Sequence, residues 1–385
     1  MPGRGLETAV PEDVGLLSSR LLDIGQAVTR SIEGKETPGA VVLVGRHGRI
    51  AYLKAFGFRS TLPQKEGMTV DTIFDIASLT KVVATSPAIM MLVENGLLRL
   101  DEKVKRYLPK FTDGGKDNIT VRQLLTHYSG LRPDFDLSRK WQGREAALAE
   151  LWQETTQSEP GKEFCYSDLN FFALGEIVRA LSGKDLSVFA QENLFGPLGM
   201  SDTGFQPAAE LRSRIAPTES RRRSLEYQKG SADSGVPEGI LRGEVHDPTA
   251  WRVGGIAGHA GLFSSAQDLA VFSQMMLNRG TYGGKRILSE SAVRSMTSPQ
   301  SPKNADALRG LGWDIDSPYS SPRGDLFGGG YGHTGFTGAS LWIHPQSETF
   351  VIILTNRVHP DAKGNVTHLR AVIANIVAGA ISDIQ

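Results

Sequence analysis

Ser78-Leu79-Thr80-Lys81 puts a hydroxyl and an amine three residues apart, the spacing at which two side chains meet on one face of a helix. Helix-compatible residues run on from Thr80 through Met90 and Met91 to Glu94. Ser78 then falls at the N-terminal end of the helix, where unpaired N–H groups and the dipole favour developing negative charge. A serine that attacks a carbonyl needs a group to take its proton and donors for the oxyanion. A four-residue pattern recurs by chance, and most Ser/Lys pairs are solvated helix starts. The rest of the chain must decide.

Two further stretches bear on it. Phe164-Cys165-Tyr166-Ser167-Asp168-Leu169-Asn170 places a tyrosine just before a helix, after the turn Glu159-Pro160-Gly161-Lys162. Gly328-Gly329-Gly330-Tyr331-Gly332-His333-Thr334-Gly335 is a glycine-dense entry to a strand, which suits a backbone that something else approaches closely.

The elements that must position these residues follow from periodicity. Residues 16–32 carry Leu17, Leu21, Ile24 and Val28 at helical spacing. Residues 40–44 and 49–58 read as a hairpin turning at His47-Gly48. Helical patterns then dominate, with residues 121–126, 168–181 and 267–278 as examples. Strand character returns at 338–344 and 350–355, before a closing helix over 368–381. Strands at both ends and helices between predict an α/β (α+β) fold. Its antiparallel sheet is flanked by helices and joined by a mainly helical second lobe. The expected division is a discontinuous α/β domain over 12–75 and 265–385 and a helical domain over 76–264. The cleft between the lobes is the default site. Residues 212–244, with Arg221-Arg222-Arg223 at the centre, read as a flexible, solvated insertion.

Bulk properties exclude several function classes. Among 385 residues, 42 Lys plus Arg balance 42 Asp plus Glu, so no global field gathers nucleic acid or an anionic membrane. The single cysteine, Cys165, rules out an internal disulfide. Residues 1–15 lack the apolar core of a signal peptide, and no apolar run reads as long enough to span a bilayer. The chain as it stands reads as soluble and cytoplasmic, although a mature exported form would look the same.

Taken together, the three stretches resemble the motifs of the serine β-lactamase and penicillin-binding protein superfamily. Within it the chain looks most like class C β-lactamases and family VIII carboxylesterases. Ser78-x-x-Lys81 matches the first motif, Tyr166-Ser167-Asp168 the Tyr-x-Asn second, and His333-Thr334-Gly335 the Lys-Thr-Gly third. The likeness runs from about Glu12 to Ile381. It implies a β-lactamase/transpeptidase-like fold, no cofactor and no metal. It implies Ser78 as acylated nucleophile, Lys81 in its proton network, and Tyr166 as base toward Ser78 and acid toward the leaving group. The backbone N–H groups of Ser78 and Phe336 would form the oxyanion hole. Free tyrosine has a pKa near 10, and an ammonium at Lys81 would help by stabilising the phenolate.

Two departures bear on the substrate. His333 stands where the family has lysine, and Asp168 where it has asparagine. Histidine is mostly neutral at pH 7, and an aspartate adds negative charge. The expected substrate-binding residues are Asp168, His333, Thr334, Gly335 and Arg357, the last reaching the cleft from a strand end. An anionic lactam or stem peptide should bind poorly there, so small neutral carboxylic esters are the expected substrates. The alternatives are a β-lactamase or D-alanyl-D-alanine carboxypeptidase, and a sensor that is acylated without turnover. No nucleic acid or membrane partner is expected.

The remaining chemistry-bearing residues read as structural. His127 and His259 fit hydrogen-bonded or site-wall roles, His246-Asp247 lacks paired metal-ligand spacing, and Cys165 fits a small buried filler. Trp141, Trp152 and Trp251 read as core, with the wall of an acyl pocket as the alternative. No G-x-S-x-G elbow, Walker A loop or strand-linked dinucleotide fingerprint occurs.

Overall fold

The computed structural model describes residues 5–227 and 239–383. An eight-stranded sheet runs in the order Glu66–Gly67, Arg49–Ser60, Gly39–Arg46, Thr349–Thr355, Ser340–His344, Tyr331–Thr334, Asp314–Asp316, Leu308–Arg309. Every neighbouring pair is antiparallel. The two ends of the sequence meet at its centre, where Ala40 faces Thr355 and Arg46 faces Thr349. Both central strands are buried throughout, which is why they read as unbroken apolar runs.

Their side chains alternate between two cores, as strand geometry requires. Val42, Val44 and Ile353 pack with Ile24 and Val28 from Asp23–Glu33 and with Leu369, Ile373 and Val377 from the closing helix Thr367–Ala380. Val41, Leu43 and Ile352 point the other way, into the large core shared with Phe272 of Ala266–Leu277 and with the helix behind Ser78. The architecture is the expected one: an antiparallel sheet, its flanking helices and a mainly helical remainder.

Local departures from the periodicity have local causes. The N-terminal helix is split, Ser18–Leu21 then Asp23–Glu33, rather than continuous over 16–32. The segment after Ser78 is helical from Ala77 to Glu94, but opens with a 3₁₀ turn and widens to a π-turn over Lys81–Thr85 before regular α-helix begins at Ser86. Short π segments commonly sit at functional sites. By length and composition this stretch is apolar enough to cross a membrane, contrary to the sequence reading, yet 83% of it is buried inside the protein.

The arginine-rich insertion is also not a solvated loop where it is described. Ile215 bridges to Ile73, Ser220 bridges to Ile240, and Arg221–Tyr227 is helical. Glu219 and Arg221 are buried. Arg221 donates to the carbonyls of Val245 and His246 and stacks 4.9 Å from the Trp251 ring. The buried cation is stabilised by those acceptors and by Glu244 at 3.0 Å. The rest of the insertion, residues 228–238, lies outside the described residues.

Candidate active site

Ser78 is presented by a turn whose backbone is forced. Ala77 has φ +47°, a left-handed conformation costing an alanine about 1–3 kcal/mol. Asp75 holds it there: Oδ1 accepts the Ala77 N–H at 2.8 Å and Oδ2 accepts the His246 N–H at 2.7 Å. Burial pushes the Asp75 carboxyl pKa up despite these donors. Thr80 Oγ1 closes the turn on the Ala77 carbonyl at 2.6 Å.

Lys81 is the hub. Its ammonium is wholly buried. It lies 3.0 Å from Ser78 Oγ and 3.0 Å from the His259 carbonyl, and pairs with Asp168 Oδ1 at 2.7 Å. It also sits 5.0 Å from the centroid of the Tyr166 ring. Burial pushes its pKa down, but the charge of Asp168 and then the interaction with Tyr166 outweigh burial and raise the amine above its ordinary range. Lys81 thus donates to Ser78 Oγ and to the His259 carbonyl.

Tyr166 reaches the hub because His127 carries it. The helix Val121–Thr126, opened by a Thr120/Gln123 capping box, ends at His127 with φ +62°. The imidazole stacks on the Tyr166 ring, centroids 4.3 Å apart and planes 25° apart. Its Nδ1 accepts the Ser167 N–H at 3.0 Å. Burial, then the charges of Arg309 and Lys81, hold its pKa well below the ordinary value, so the ring is neutral. On the far side of the hub, His259 Nε2 pairs with Asp247 Oδ1 at 3.1 Å. Burial opposes both charges, but the pairing raises His259 and lowers Asp247. Beyond them, burial and the charges of Asp247 and Asp168 push the Asp134 carboxyl up to about 7.

The third stretch closes the site from the sheet. Gly335 packs so tightly on the Ser78 turn that a Cβ there would lie 2.4 Å from the Ile76 carbonyl oxygen. His333 is buried and its Nδ1 donates to the Thr334 carbonyl at 2.7 Å. Burial, then Arg309 and Lys81, hold its pKa well below the ordinary value. The third stretch thus supplies no fixed cation, as the sequence reading expected.

A cavity of about 480 Å³ opens here, lined by Ser78, Tyr166, Asp168, His333, Thr334, Gly335, Phe336 and Arg357. Every residue singled out from the motifs lies in it or, as Lys81, directly behind it. The inference that the cleft is short of positive charge needs correction, because Arg309 and Arg370 line it beside Arg357. Arg309 pairs with Asp314 at 3.2 Å. Arg357 stacks 4.3 Å from the Phe336 ring. Arg370, 7% exposed, donates to the Gly335 and Ala339 carbonyls, and burial and the Arg357 charge lower its pKa to about 9. Arg370 could not be found from motifs: it arrives from the closing helix, 35 residues after Gly335. Among the described residues no cluster of three or more His, Cys, Asp or Glu could hold a metal.

A family model described as beta-lactamase matches residues 24–375. The chain belongs to the beta-lactamase family. This beta-lactamase-family chain is 33% identical, over 91% of its length and 85% of the relative's, to a protein of Bacillus subtilis (strain 168) named N-acetylmuramyl-L-alanine amidase. It is 31% identical, over 97% of its length and 91% of the relative's, to a Salmonella schwarzengrund protein provisionally named a D-alanyl-D-alanine carboxypeptidase. Its fold matches that of EstCE1, a hydrolase with promiscuous acyltransferase activity (TM-score 0.72, 23% identity, 94% and 99% of the two chains). It also matches a class C beta-lactamase (TM-score 0.73, 18% identity, 96% and 98%).

Cys165 is half-buried rather than enclosed, and burial raises its thiol pKa, which leaves it a poor nucleophile. Trp141, Trp152 and Trp251 all lie outside the lining of the cleft. The residues that sequence reasoning passed over are Asp75, Arg309, Arg370 and Glu219, the partner of His246. Asp75, Arg370 and Glu219 each bond a partner distant in sequence, Arg309 pairs with nearby Asp314, and none has a spacing signature.

Proposed function

We propose that this hydrolase cleaves small carboxylic esters through an acyl-enzyme on Ser78. The observation that carries the reading is the Lys81 ammonium, which contacts Ser78 Oγ and Asp168 and lies 5.0 Å from the centroid of the Tyr166 ring. Ser78 Oγ attacks the ester carbonyl while Tyr166 takes its proton. Tyr166 then returns that proton to the departing alcohol. Water attacks the acylated Ser78 by the reverse proton path, releasing the acid. Lys81, kept charged by Asp168, stabilises the negative charge that moves between the two oxygens. The backbone N–H groups of Ser78 and Phe336 are the proposed oxyanion donors. Neutral His333 and the Lys81–Asp168 pair place no uncompensated cation of their own beside Ser78, and the cavity's arginines are the basis of the second reading.

One observation favours a second reading, hydrolysis of D-alanyl peptides or β-lactams. Arg357 and Arg370 line the same cavity and suit a substrate carboxylate, and the full-length relatives carry amidase and carboxypeptidase names. The deciding experiment compares kcat/KM for p-nitrophenyl butyrate, nitrocefin and a D-alanyl-D-alanine peptide. Preference for the butyrate ester supports the first reading; a large excess for either carboxylate-bearing substrate replaces it with the second.

A further inference from the structure

His246 and Glu219 form a buried pair that the proposed reaction does not use. Imidazole Nε2 lies 2.7 Å from Glu219 Oε1, with the side chains 6% and 1% exposed. A carboxylate can only accept, so Nε2 carries the proton. The residue's other contacts reach both halves of the proposed oxyanion hole. Its main-chain N–H binds Asp75 Oδ2, whose other oxygen holds the N–H of Ala77, next to Ser78. Its ring stacks on the ring of Phe336, centroids 5.5 Å apart and planes 20° apart. Thr337, the residue after Phe336, donates its hydroxyl to the Asp75 carbonyl at 2.7 Å. A continuous path of contacts thus runs from the Ser78 turn through Asp75 and His246 to the Phe336 loop.

We propose that His246, oriented by Glu219, is a positioning residue that fixes the spacing of the two oxyanion donors. The proposal rests on the Ser78 acyl-enzyme reading. Stacking alone leaves an imidazole free to slide or flip over a phenyl ring. A hydrogen bond to a buried carboxylate removes that freedom, as outer partners do for ligating histidines. The positive φ of Ala77 persists only where its surroundings over-determine it, and Asp75 supplies that constraint together with the His246 N–H. Arg221, donating to the His246 carbonyl at 2.6 Å, holds the same residue from behind.

The test uses the full chain with p-nitrophenyl butyrate as substrate and phenylboronic acid as a tetrahedral mimic. Glu219→Gln and His246→Leu should each lower kcat about 10- to 100-fold with KM nearly constant, the signature of a misplaced transition-state donor. The boronic acid should weaken by a similar factor. Phe336→Leu should reproduce the loss, Phe336→Tyr should restore it, and His246→Leu/Phe336→Leu should be no worse than either single change. Melting temperatures separate positioning from folding, and if His246→Leu does not fold, Glu219→Gln and the Phe336 pair decide. A kcat within about twofold of wild type in Glu219→Gln, or strictly additive losses in the double variant, overturns the proposal. Undiminished hydrolysis by Ser78→Ala would instead remove the reading beneath it, a separate readout.

Discussion

At the scale of single residues, the site turns on how one buried amine is kept charged. Lys81 has no solvent, yet its proton is retained because Asp168 lies 2.7 Å away. An ammonium so held donates rather than accepts, which is why the proposed mechanism gives the proton transfer to Tyr166. Tyr166→Phe should therefore cut kcat by about 10²–10⁴-fold while leaving the stack on His127 and the melting temperature in place. Steady-state kinetics beside a thermal melt check both halves. Asp168→Asn removes the charge that raises the Lys81 pKa, so the amine should deprotonate at lower pH. The alkaline limb of the kcat/KM profile should then move toward neutrality. An unmoved limb would show that Asp168 does not set the charge of Lys81.

At the scale of elements, the site exists because the end of an inner strand and a helix start are pressed together. Gly335 is the contact: a side chain there meets the Ile76 main chain, and backbone cannot retreat as a flexible side chain can. Gly335→Ala should therefore destabilise by about 1–3 kcal/mol and lower kcat more than its melting temperature alone would explain. Chemical denaturation and kinetics on the same preparation measure this. Much at this scale was legible in the sequence. The strands 40–44 and 350–355 announced themselves as apolar runs because both their faces are covered. The helix behind Ser78 was visible from its length. Its π-turn was not, since hydrogen-bond register leaves no mark on hydrophobic periodicity. The structure of residues 212–227 was hidden for a different reason: Arg221 is buried by partners at 244–246 and 251, and arginine-rich composition reads as exposed.

At the scale of the whole molecule, net neutrality conceals a local arrangement. The chain totals no formal charge, yet Arg309, Arg357 and Arg370 converge from separate parts of the sequence on one cavity. Motif residues alone gave a cleft depleted of cations; only the packing of the closing helix against the sheet brought Arg370 in. Ser78 and Lys81 stood out by their spacing, and Tyr166 and His333 by the resemblance of their stretches to family motifs. Arg370 and Glu219 did not, because their roles depend on contacts between elements. Burial of neutral histidines also couples the fold to pH. His333 has its pKa depressed on folding, so the unfolded chain binds the extra proton as pH falls below about 6.5. The stability this contributes is present above that pH and lost on acidification. His333→Asn should consequently show a shallower fall in melting temperature between pH 7 and pH 5 than wild type. Equal slopes would mean that His333 is not held neutral in the folded protein.

The most direct test of the central claim is to trap the covalent intermediate. The protein is mixed with p-nitrophenyl butyrate, quenched in acid within the first turnovers, and examined by intact-mass and peptide mass spectrometry. A butyryl adduct on the peptide that carries Ser78, absent from Ser78→Ala together with hydrolysis, is the predicted result. An adduct on another residue, or turnover that survives in Ser78→Ala, would contradict it.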